Sequence, residues 1–284
     1  HPEADLAVAR AMGALNLPMI ISSQASTPME AIAEANGDGP RFYQLYWGKS
    51  DDLAESFVKR AEAIGCRAIF ITLDTLMLGW RPRDLDLGFS PFLRGQGIAQ
   101  YTSDPVFRGM LSQTPEENPL GAAIQFTQLF SDPSVDWKRI AEIRSWTKLP
   151  VVLKGIIRAD DAEKAVSEGY DGVMVSNHGG RQVDGAIGSL DALANVSAAV
   201  KGKTKLFFDS GIRCGSDIFK ALALGADAAG VGRPYVYGLA LGGEQGVKTV
   251  MEYLLAELDI TMALNGCRIP EDISQDFLSV SLNA

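Results

Sequence analysis

Short apolar runs alternate with longer amphipathic segments along most of the chain. The apolar runs are rich in β-branched and aromatic residues, which is typical of strands buried on both faces. The segments between them carry apolar residues at helical spacing, which predicts helices packed against those strands. The pattern predicts strands at residues 17–22, 41–46, 68–74, 150–154, 173–175, 205–209 and 228–231, and helices at residues 3–15, 28–35, 51–64, 137–146, 159–168, 190–200, 216–224 and 239–264.

This alternation predicts βαβ units and therefore a parallel sheet of the α/β class. Seven strands are predicted, whereas a (β/α)8 TIM barrel has eight. The simplest interpretation is a single barrel domain over residues 1–284 whose first strand is missing from this chain. The competing fold, an open doubly wound sheet, needs a Gly-rich dinucleotide turn after its first strand, and the sequence after Ser22 has none. We further expect Asp51 to be the N-cap of the third helix.

Residues 75–133 interrupt the pattern with glycine, proline, arginine and aromatic residues. A connection of this length without clear elements of its own usually has a function, as a binding loop or an active-site lid. We therefore interpret residues 75–133 as a long lid-like loop.

Composition and charge narrow the class of protein. A net charge of -9 disfavours nucleic acid and anionic membrane surfaces as partners. No apolar run is long enough to span a bilayer, and the first residues do not form a signal peptide, so we expect a cytoplasmic protein. The cysteines (Cys66, Cys214 and Cys267) lie far apart, which suits structural thiols in a reducing compartment and predicts no metal site.

Polar residues follow nearly every predicted strand, at the edge where a barrel enzyme has its active site. They are Ser22, Gln44, Tyr46, Thr72, Asp74, Lys154, Ser176, His178, Arg181, Asp209, Gly232 and Arg233. One or two such residues would be explained by strand ends that face water, but this explanation covers the whole series poorly.

Basic residues at the same edge predict two bound anions. The last two strands run into Asp209-Ser210-Gly211-Ile212-Arg213 and Gly230-Val231-Gly232-Arg233-Pro234. Glycine-rich loops can present backbone N–H groups to a phosphate while the arginines neutralise its charge. Arg181 suits bidentate binding of a carboxylate, and Arg81 and Lys154 add to the positive charge.

His178 is the one histidine inside the chain, since the other is His1. Taken alone, it fits an inert residue in a polar turn as well as it fits a catalytic base. Asp74 is a candidate to orient His178 and to stabilise its protonated form, the usual role of a carboxylate beside a catalytic histidine.

Four motifs together resemble the FMN-dependent 2-hydroxy-acid oxidase and dehydrogenase family. They are Ser-Asn-His-Gly-Gly-Arg-Gln (176–182), Leu-Lys-Gly-Ile (153–156), Asp-Ser-Gly-Ile-Arg (209–213) and Gly-Arg-Pro (232–234). The resemblance covers essentially the whole chain. Residues 44–47, 72–75, 79–84 and 91–95 are most similar to the lactate 2-monooxygenase branch, in which the segment matching 85–133 forms an extended lid-like loop.

The resemblance implies a role for each candidate residue. His178 matches the active-site base and Asp74 its carboxylate partner, while Arg181, assisted by Arg81 and Tyr46, matches the site for the substrate carboxylate. The positions that match flavin contacts are Ser22, Gln44, Thr72 and Ser176, with Lys154 at the N1/O2 edge of the ring. The ribityl and phosphate positions are Asp209, Ser210, Gly211, Ile212, Arg213, Gly232 and Arg233.

The implied reaction is oxidation of an L-2-hydroxy acid, with L-lactate expected, to a 2-keto acid, with FMN as cofactor and oxygen as acceptor. In the monooxygenase branch the products react further in an oxidative decarboxylation. The resemblance also implies a homotetramer, and a separate N-terminal segment could complete the barrel. Two alternatives stay open: a barrel lyase that uses Lys154 as a Schiff-base lysine, and a flavin-free barrel remnant that serves in binding or assembly.

Overall fold

The computed structural model describes residues 1–279. The chain divides into two compact units, the first over residues 1–151 and the second from Val152 onward. The interpretation of residues 1–284 as a single barrel domain stays a prediction.

The first unit contains three parallel strands that pair in chain order. They are β1 (Met19–Ser22), β2 (Arg41–Tyr46) and β3 (Ile69–Thr72). Met19 lies opposite Arg41, and Tyr43 lies opposite Ile69. The helices are α1 (Ala4–Ala14), α2 (Met29–Asn36), α3 (Asp51–Ala63), α4 (Pro82–Asp86), α5 (Ala99–Thr102), α6 (Pro105–Gly109), α7 (Pro119–Leu129), α8 (Trp137–Ile140) and α9 (Ile143–Trp146), with a 3₁₀ turn at Phe92–Arg94.

The strands of this unit are buried as their composition predicts. Every residue of β3 is buried, as expected for a strand covered on both faces, and Ile21 and Leu45 are each at most 2% exposed, whereas Ile20 in β1 is 39% exposed. The expected N-cap of α3 is wrong by one residue. Ser50 caps the helix, because its Oγ accepts a hydrogen bond from the Leu53 N–H at 3.2 Å. The Asp51 carboxylate instead accepts from the Trp47 indole at 2.8 Å.

The stretch after β3 is more ordered than the sequence pattern suggested. The expectation of a segment without clear elements is wrong, because α4 to α7 lie within it. Tyr101, Phe107 and Phe126 are buried there, and the Tyr101 ring contacts each of the other two edge to face. These rings give α5, α6 and α7 a shared core that includes Phe57 of α3, whereas α4 buries no residue. The periodicity of the local sequence does not reveal this packing. The role of this stretch as a lid stays a prediction.

The second unit holds most of β4 (Val151–Ile156), together with β5 (Gly172–Val175), β6 (Lys205–Phe208) and β7 (Ala228–Ala229). These strands also pair in parallel and in chain order, with a register shift after Lys154. The helices are α10 (Ala159–Ser167), α11 (Ser189–Val200), α12 (Gly215–Ala223) and α13 (Arg233–Leu264), with 3₁₀ turns at His178–Gly180, Pro270–Asp272 and Gln275–Phe277.

Several predicted boundaries in the chain differ from the structure, among them the following three. The helix expected at 137–146 is two short helices, α8 and α9. The last strand ends at Ala229 rather than at residue 231. Helix α13 begins at Arg233 instead of near residue 239, and it is broken at Gly242 and Gly243, whose backbone angles are not helical.

Helix α12 packs very closely on α13. A Cβ at Gly215 would overlap the backbone of Glu257 and Leu258, and the Gly215 N–H donates to the Glu257 carboxylate at 2.7 Å. Because α12 starts directly after residues 209–213, this contact anchors the loop that the sequence assigns to a phosphate.

Within residues 1–279, seven parallel strands thus alternate with helices in an α/β fold. Their number and order are consistent with a truncated TIM barrel, while the loss of a first strand stays an interpretation. None of the helices described for residues 1–279 combines the length and the apolar character needed to cross a membrane.

Candidate active site

In the first unit, three polar side chains at the carboxyl ends of β1, β2 and β3 form a hydrogen-bonded ladder. Ser22 Oγ donates to Gln44 Oε1 at 2.7 Å, and Gln44 Nε2 donates to Thr72 Oγ1 at 2.8 Å. The register of the parallel strands produces this ladder, because Ser22 lies directly opposite Gln44. Gln44 and Thr72 are buried. The ladder therefore fixes the direction of the Gln44 amide.

Ser23 is a member of this edge that the sequence reasoning missed. It is fully buried, and its Oγ accepts from the Tyr46 N–H at 3.0 Å. The Tyr46 ring packs edge to face on Phe130 with 5.4 Å between the ring centroids. The sequence does give one signal for Ser23, because it directly follows Ser22, the last residue of β1.

The other candidates of the first unit lie beyond the strand ends. Asp74 lies in the turn after β3, half-buried, and its Oδ1 accepts from Thr75 Oγ1 at 2.9 Å. Arg81 is half-buried at the N-cap position of α4. The pairing of Asp74 with His178 stays a prediction.

In the second unit, a charged pair and two hydroxyls meet at the ends of β4, β5 and β6. Lys154 Nζ donates to Ser176 Oγ at 3.0 Å and lies 3.7 Å from Asp209 Oδ2. Ser210 Oγ donates to Asp209 Oδ1 at 2.8 Å and lies 3.5 Å from Ser176 Oγ. The side chains of Lys154 and Asp209 are 13% and 23% exposed, so the pair is shielded from bulk water on most sides.

His178 opens a turn in which three consecutive residues are left-handed. The φ angles of His178, Gly179 and Gly180 are 57°, 67° and 72°. This conformation costs a residue with a Cβ roughly 1–2 kcal/mol, and such strain persists only where the surroundings enforce it, often at functional sites. Glycine at the next two positions removes the cost there.

The backbone of this turn is held at each step by a side-chain oxygen. The N–H groups of His178, Gly179 and Gly180 donate to Ser176 Oγ, Ser210 Oγ and Asn177 Oδ1 at 3.1, 2.9 and 3.1 Å, respectively. Asn177 in turn donates its N–H to the buried Ser189 Oγ at 2.8 Å. The sequence reasoning missed Asn177 and Ser189. A serine at the start of a helix was the one signal for Ser189.

Two glycine-bearing loops follow β6 and β7. A Cβ placed on Gly211 or Gly232 would meet no atom within 4 Å, so both backbones border open space. The Arg233 guanidinium donates through both of its terminal nitrogens to the Gly179 carbonyl at 3.1 Å. The Arg213 guanidinium donates to the Ile212 carbonyl at 2.9 Å. The Ile212 side chain is 2% exposed in the core, so only its backbone can contact a ligand.

The residues present fit FMN when each unit is considered separately. The open backbone at Gly211 and Gly232, with Arg213 and Arg233 exposed beside it, suits a phosphate. The Lys154 ammonium suits the edge of a ring that becomes negatively charged when it is reduced. The Gln44 amide, oriented by its ladder, can hydrogen-bond a polar ring.

Parallel strands that end in polar side chains, with glycine–arginine loops after the last two, define an α/β enzyme for a phosphate-bearing cofactor. A family model described as FMN-dependent dehydrogenase matches residues 1–280. The chain belongs to this family of FMN-dependent 2-hydroxy-acid oxidases and dehydrogenases.

The relatives agree with this assignment. The chain is 45% identical over 266 residues to an L-lactate oxidase of Lysinibacillus sphaericus (strain C3-41), covering 94% of this chain and 68% of that protein. It is 43% identical over 273 residues to 2-hydroxyacid oxidase 1 of Homo sapiens, covering 94% and 71%. A crystal structure of mandelate oxidase matches with a TM-score of 0.83 and 37% identity, covering 96% of this chain and 73% of that one.

Proposed function

We propose that the chain oxidises an L-2-hydroxy acid, with L-lactate as the preferred substrate, to the 2-keto acid, and that oxygen is the final electron acceptor. The observation that carries this proposal is the turn after β5, which holds His178 three residues before the exposed Arg181. A base and a carboxylate-binding arginine are the two groups that the reaction requires. The relatives named as lactate and 2-hydroxyacid oxidases support the substrate class.

FMN supplies the two-electron acceptor of this reaction when it is bound. In our proposal Arg213, Arg233 and the N–H groups near Gly211 and Gly232 hold its phosphate, and Asp209 accepts hydrogen bonds from the ribityl chain. Lys154 supports the N1/O2 edge of the ring. The remaining ring contacts are assigned to Ser22, Gln44, Thr72 and Ser176.

The chain's own residues bind the acid and move one of its protons. The Arg181 guanidinium binds the carboxylate through two parallel N–H···O bonds, and Tyr46 and Arg81 are assigned to the same substrate. Conversion of the alcohol to the ketone removes two electrons and two protons, and both electrons and one of the protons would pass to FMN when it is bound. The His178 imidazole accepts one proton, from the hydroxyl or from the α-carbon, and Asp74 is its proposed carboxylate partner.

The experiment begins with the flavin spectrum of the purified chain and then measures oxygen consumption with L-lactate, glycolate, L-mandelate and D-lactate. We expect turnover with L-lactate and none with D-lactate. Arg181→Lys keeps the charge but loses the planar fork, so its KM for L-lactate should rise about tenfold or more at unchanged flavin content. Arg268→Lys, on an exposed arginine far along the chain from these motifs, is the matched control. A flavin-loaded chain that oxidises none of these acids would contradict the proposal.

Product analysis distinguishes release of the keto acid from its further oxidative decarboxylation. Release of pyruvate and hydrogen peroxide is the oxidase outcome, and acetate with carbon dioxide is the decarboxylating outcome of the lactate 2-monooxygenase branch. Residues 79–84 and 91–95, which are similar to that branch, favour the second outcome, and we therefore include it in the proposal. Carbon-13 L-lactate distinguishes the two in one NMR experiment.

The Schiff-base alternative finds little support in the surroundings of Lys154. Its contacts with the Ser176 hydroxyl and the Asp209 carboxylate are those of an ammonium rather than of a nucleophilic amine. Failure of borohydride to trap an imine with 2-keto acids is the expected result. The homotetramer and the cytoplasmic location stay predictions from the sequence.

A further inference from the structure

We infer that Ser210 is a positioning residue for the His178 turn, a role beyond the flavin contact that its motif implies. The inference rests on the proposed function, in which His178 is the base. Ser210 follows β6, whereas the turn follows β5, so its hydroxyl connects two strand ends. It accepts the N–H of Gly179, the residue directly after His178, at 2.9 Å.

The direction of the hydrogen bonds supports this role. A hydroxyl has one proton and two lone pairs. The proton of Ser210 is donated to Asp209 Oδ1 at 2.8 Å, so its remaining capacity is to accept. It accepts from the Gly179 N–H. This amide lies in a left-handed turn and has no i→i−4 carbonyl as a hydrogen-bond partner. Ser210 thus ties that amide to the ion pair of Asp209 with Lys154.

The backbone of Ser210 is itself strained. Its φ is 77°, a left-handed value that glycine adopts without cost and serine does not. Glycine at this position would relieve the strain and lose the hydroxyl. A strained serine at a site where glycine fits better indicates that the hydroxyl has a use.

The test uses Ser210→Gly, because relief of the strain offsets the lost hydrogen bond and folding stability should change little. The first readout needs no activity. His178-Gly179 is the one His-Gly pair in the sequence, since His1 precedes Pro2. Labelling histidine with carbonyl carbon-13 and glycine with nitrogen-15 therefore gives a single amide signal, that of Gly179. We expect its hydrogen exchange to be at least about tenfold faster in Ser210→Gly.

The second readout is anaerobic flavin reduction by L-lactate. Loss of one hydrogen bond to the turn should slow reduction about three- to tenfold at saturating substrate, measured on the flavin-loaded protein and with the Kd for L-lactate unchanged. Ser216→Ala removes a hydroxyl from the same segment, one that contacts Cys214 Sγ at 3.1 Å, and should change neither readout.

Unchanged Gly179 exchange in Ser210→Gly would overturn the inference, as would faster exchange with a wild-type reduction rate. Loss of flavin together with unchanged Gly179 exchange would leave Ser210 with the flavin contact alone, and it would overturn the inference as well. A wild-type chain that oxidises no 2-hydroxy acid would instead defeat the proposed function, and the Gly179 exchange rate would still decide whether Ser210 holds the turn.

Discussion

Replacing Gln44 with leucine tests whether the ladder at the ends of β1, β2 and β3 serves the flavin or only the fold. The change keeps the side-chain size and removes the bonds to Ser22 at 2.7 Å and to Thr72 at 2.8 Å. Each such bond contributes about 0.5–1.5 kcal/mol net, so about 1–3 kcal/mol is lost together. Thr72, 1% exposed, cannot turn to water, which adds a further cost of about 1–3 kcal/mol.

Two effects reduce this expected loss of stability. Ser22 is only partly buried and can find water, and its Oγ already accepts from the Gln24 N–H. Burial of the more apolar leucine offsets part of the lost stability, because burying a whole leucine side chain contributes about 1.5–3 kcal/mol. We therefore expect the free energy of unfolding to fall by about 2 kcal/mol, measured by urea denaturation. If Gln44 also contacts the flavin, the Kd for FMN should rise about tenfold.

Tyr43→Phe is the neighbouring control on the same strand. The Tyr43 hydroxyl is buried and has no hydrogen-bond partner among residues 1–279. Removing it should leave the stability unchanged or raise it by up to about 1 kcal/mol. A Gln44→Leu protein that is as stable as wild type would show that the hydrogen bonds of Gln44 to Ser22 and Thr72 do not stabilise the fold. A less stable variant with unchanged FMN affinity would make Gln44 a purely structural residue.

The remaining predictions concern the phosphate loop, the ordered part of the long insertion and a buried thiol. Arg233→Ala should lower FMN occupancy after dialysis by tenfold or more, because its proposed partner is the phosphate; unaltered occupancy would contradict this. Asp104→Ala should cost about 3 kcal/mol in urea unfolding, since this fully buried carboxylate accepts from Arg60 at 3.0 Å and caps α6 through the Val106 N–H at 2.8 Å. A loss below about 1 kcal/mol would mean that residues 98–109 are not anchored as described. Burial raises the pKa of the Cys66 thiol to about 12, so it should resist alkylation at pH 8 in the folded protein. The stabilisation linked to this protonated thiol is complete below its unfolded pKa, near 9, and is lost as the pH rises toward 12; rapid alkylation of Cys66 at pH 8 would count against its burial.

The strands were predictable because most of their residues are apolar, β-branched or aromatic, and β3, β5 and the centre of β2 are buried. Their polar ends were predictable for the same reason, since Gln44, Thr72 and Ser176 interrupt or follow such runs. The helices after β3 were not, because their apolar residues pack on one another over short lengths. The pairs Asp104-Pro105 and Asn118-Pro119 did mark two helix starts, as an N-cap followed by proline.

The contacts around His178 could not be predicted from sequence patterns. Ser210 accepts from Gly179 across 31 residues, and Arg233 donates to the same residue across 54. Nothing in the local sequence signals such a contact, because it depends on which strand ends are neighbours in the sheet. The left-handed Ser210 departs from local preference altogether, as strained functional positions commonly do.

In our proposal, His178 is the base of a flavin-dependent oxidation of L-2-hydroxy acids. The most direct test is stopped-flow reduction of bound FMN by L-lactate without oxygen, in the wild-type chain and in His178→Gln. We expect rapid bleaching of the flavin in the wild type, and a rate at least about 100-fold lower in the variant, with FMN still bound. A variant that keeps its flavin and is reduced at nearly the wild-type rate would contradict it.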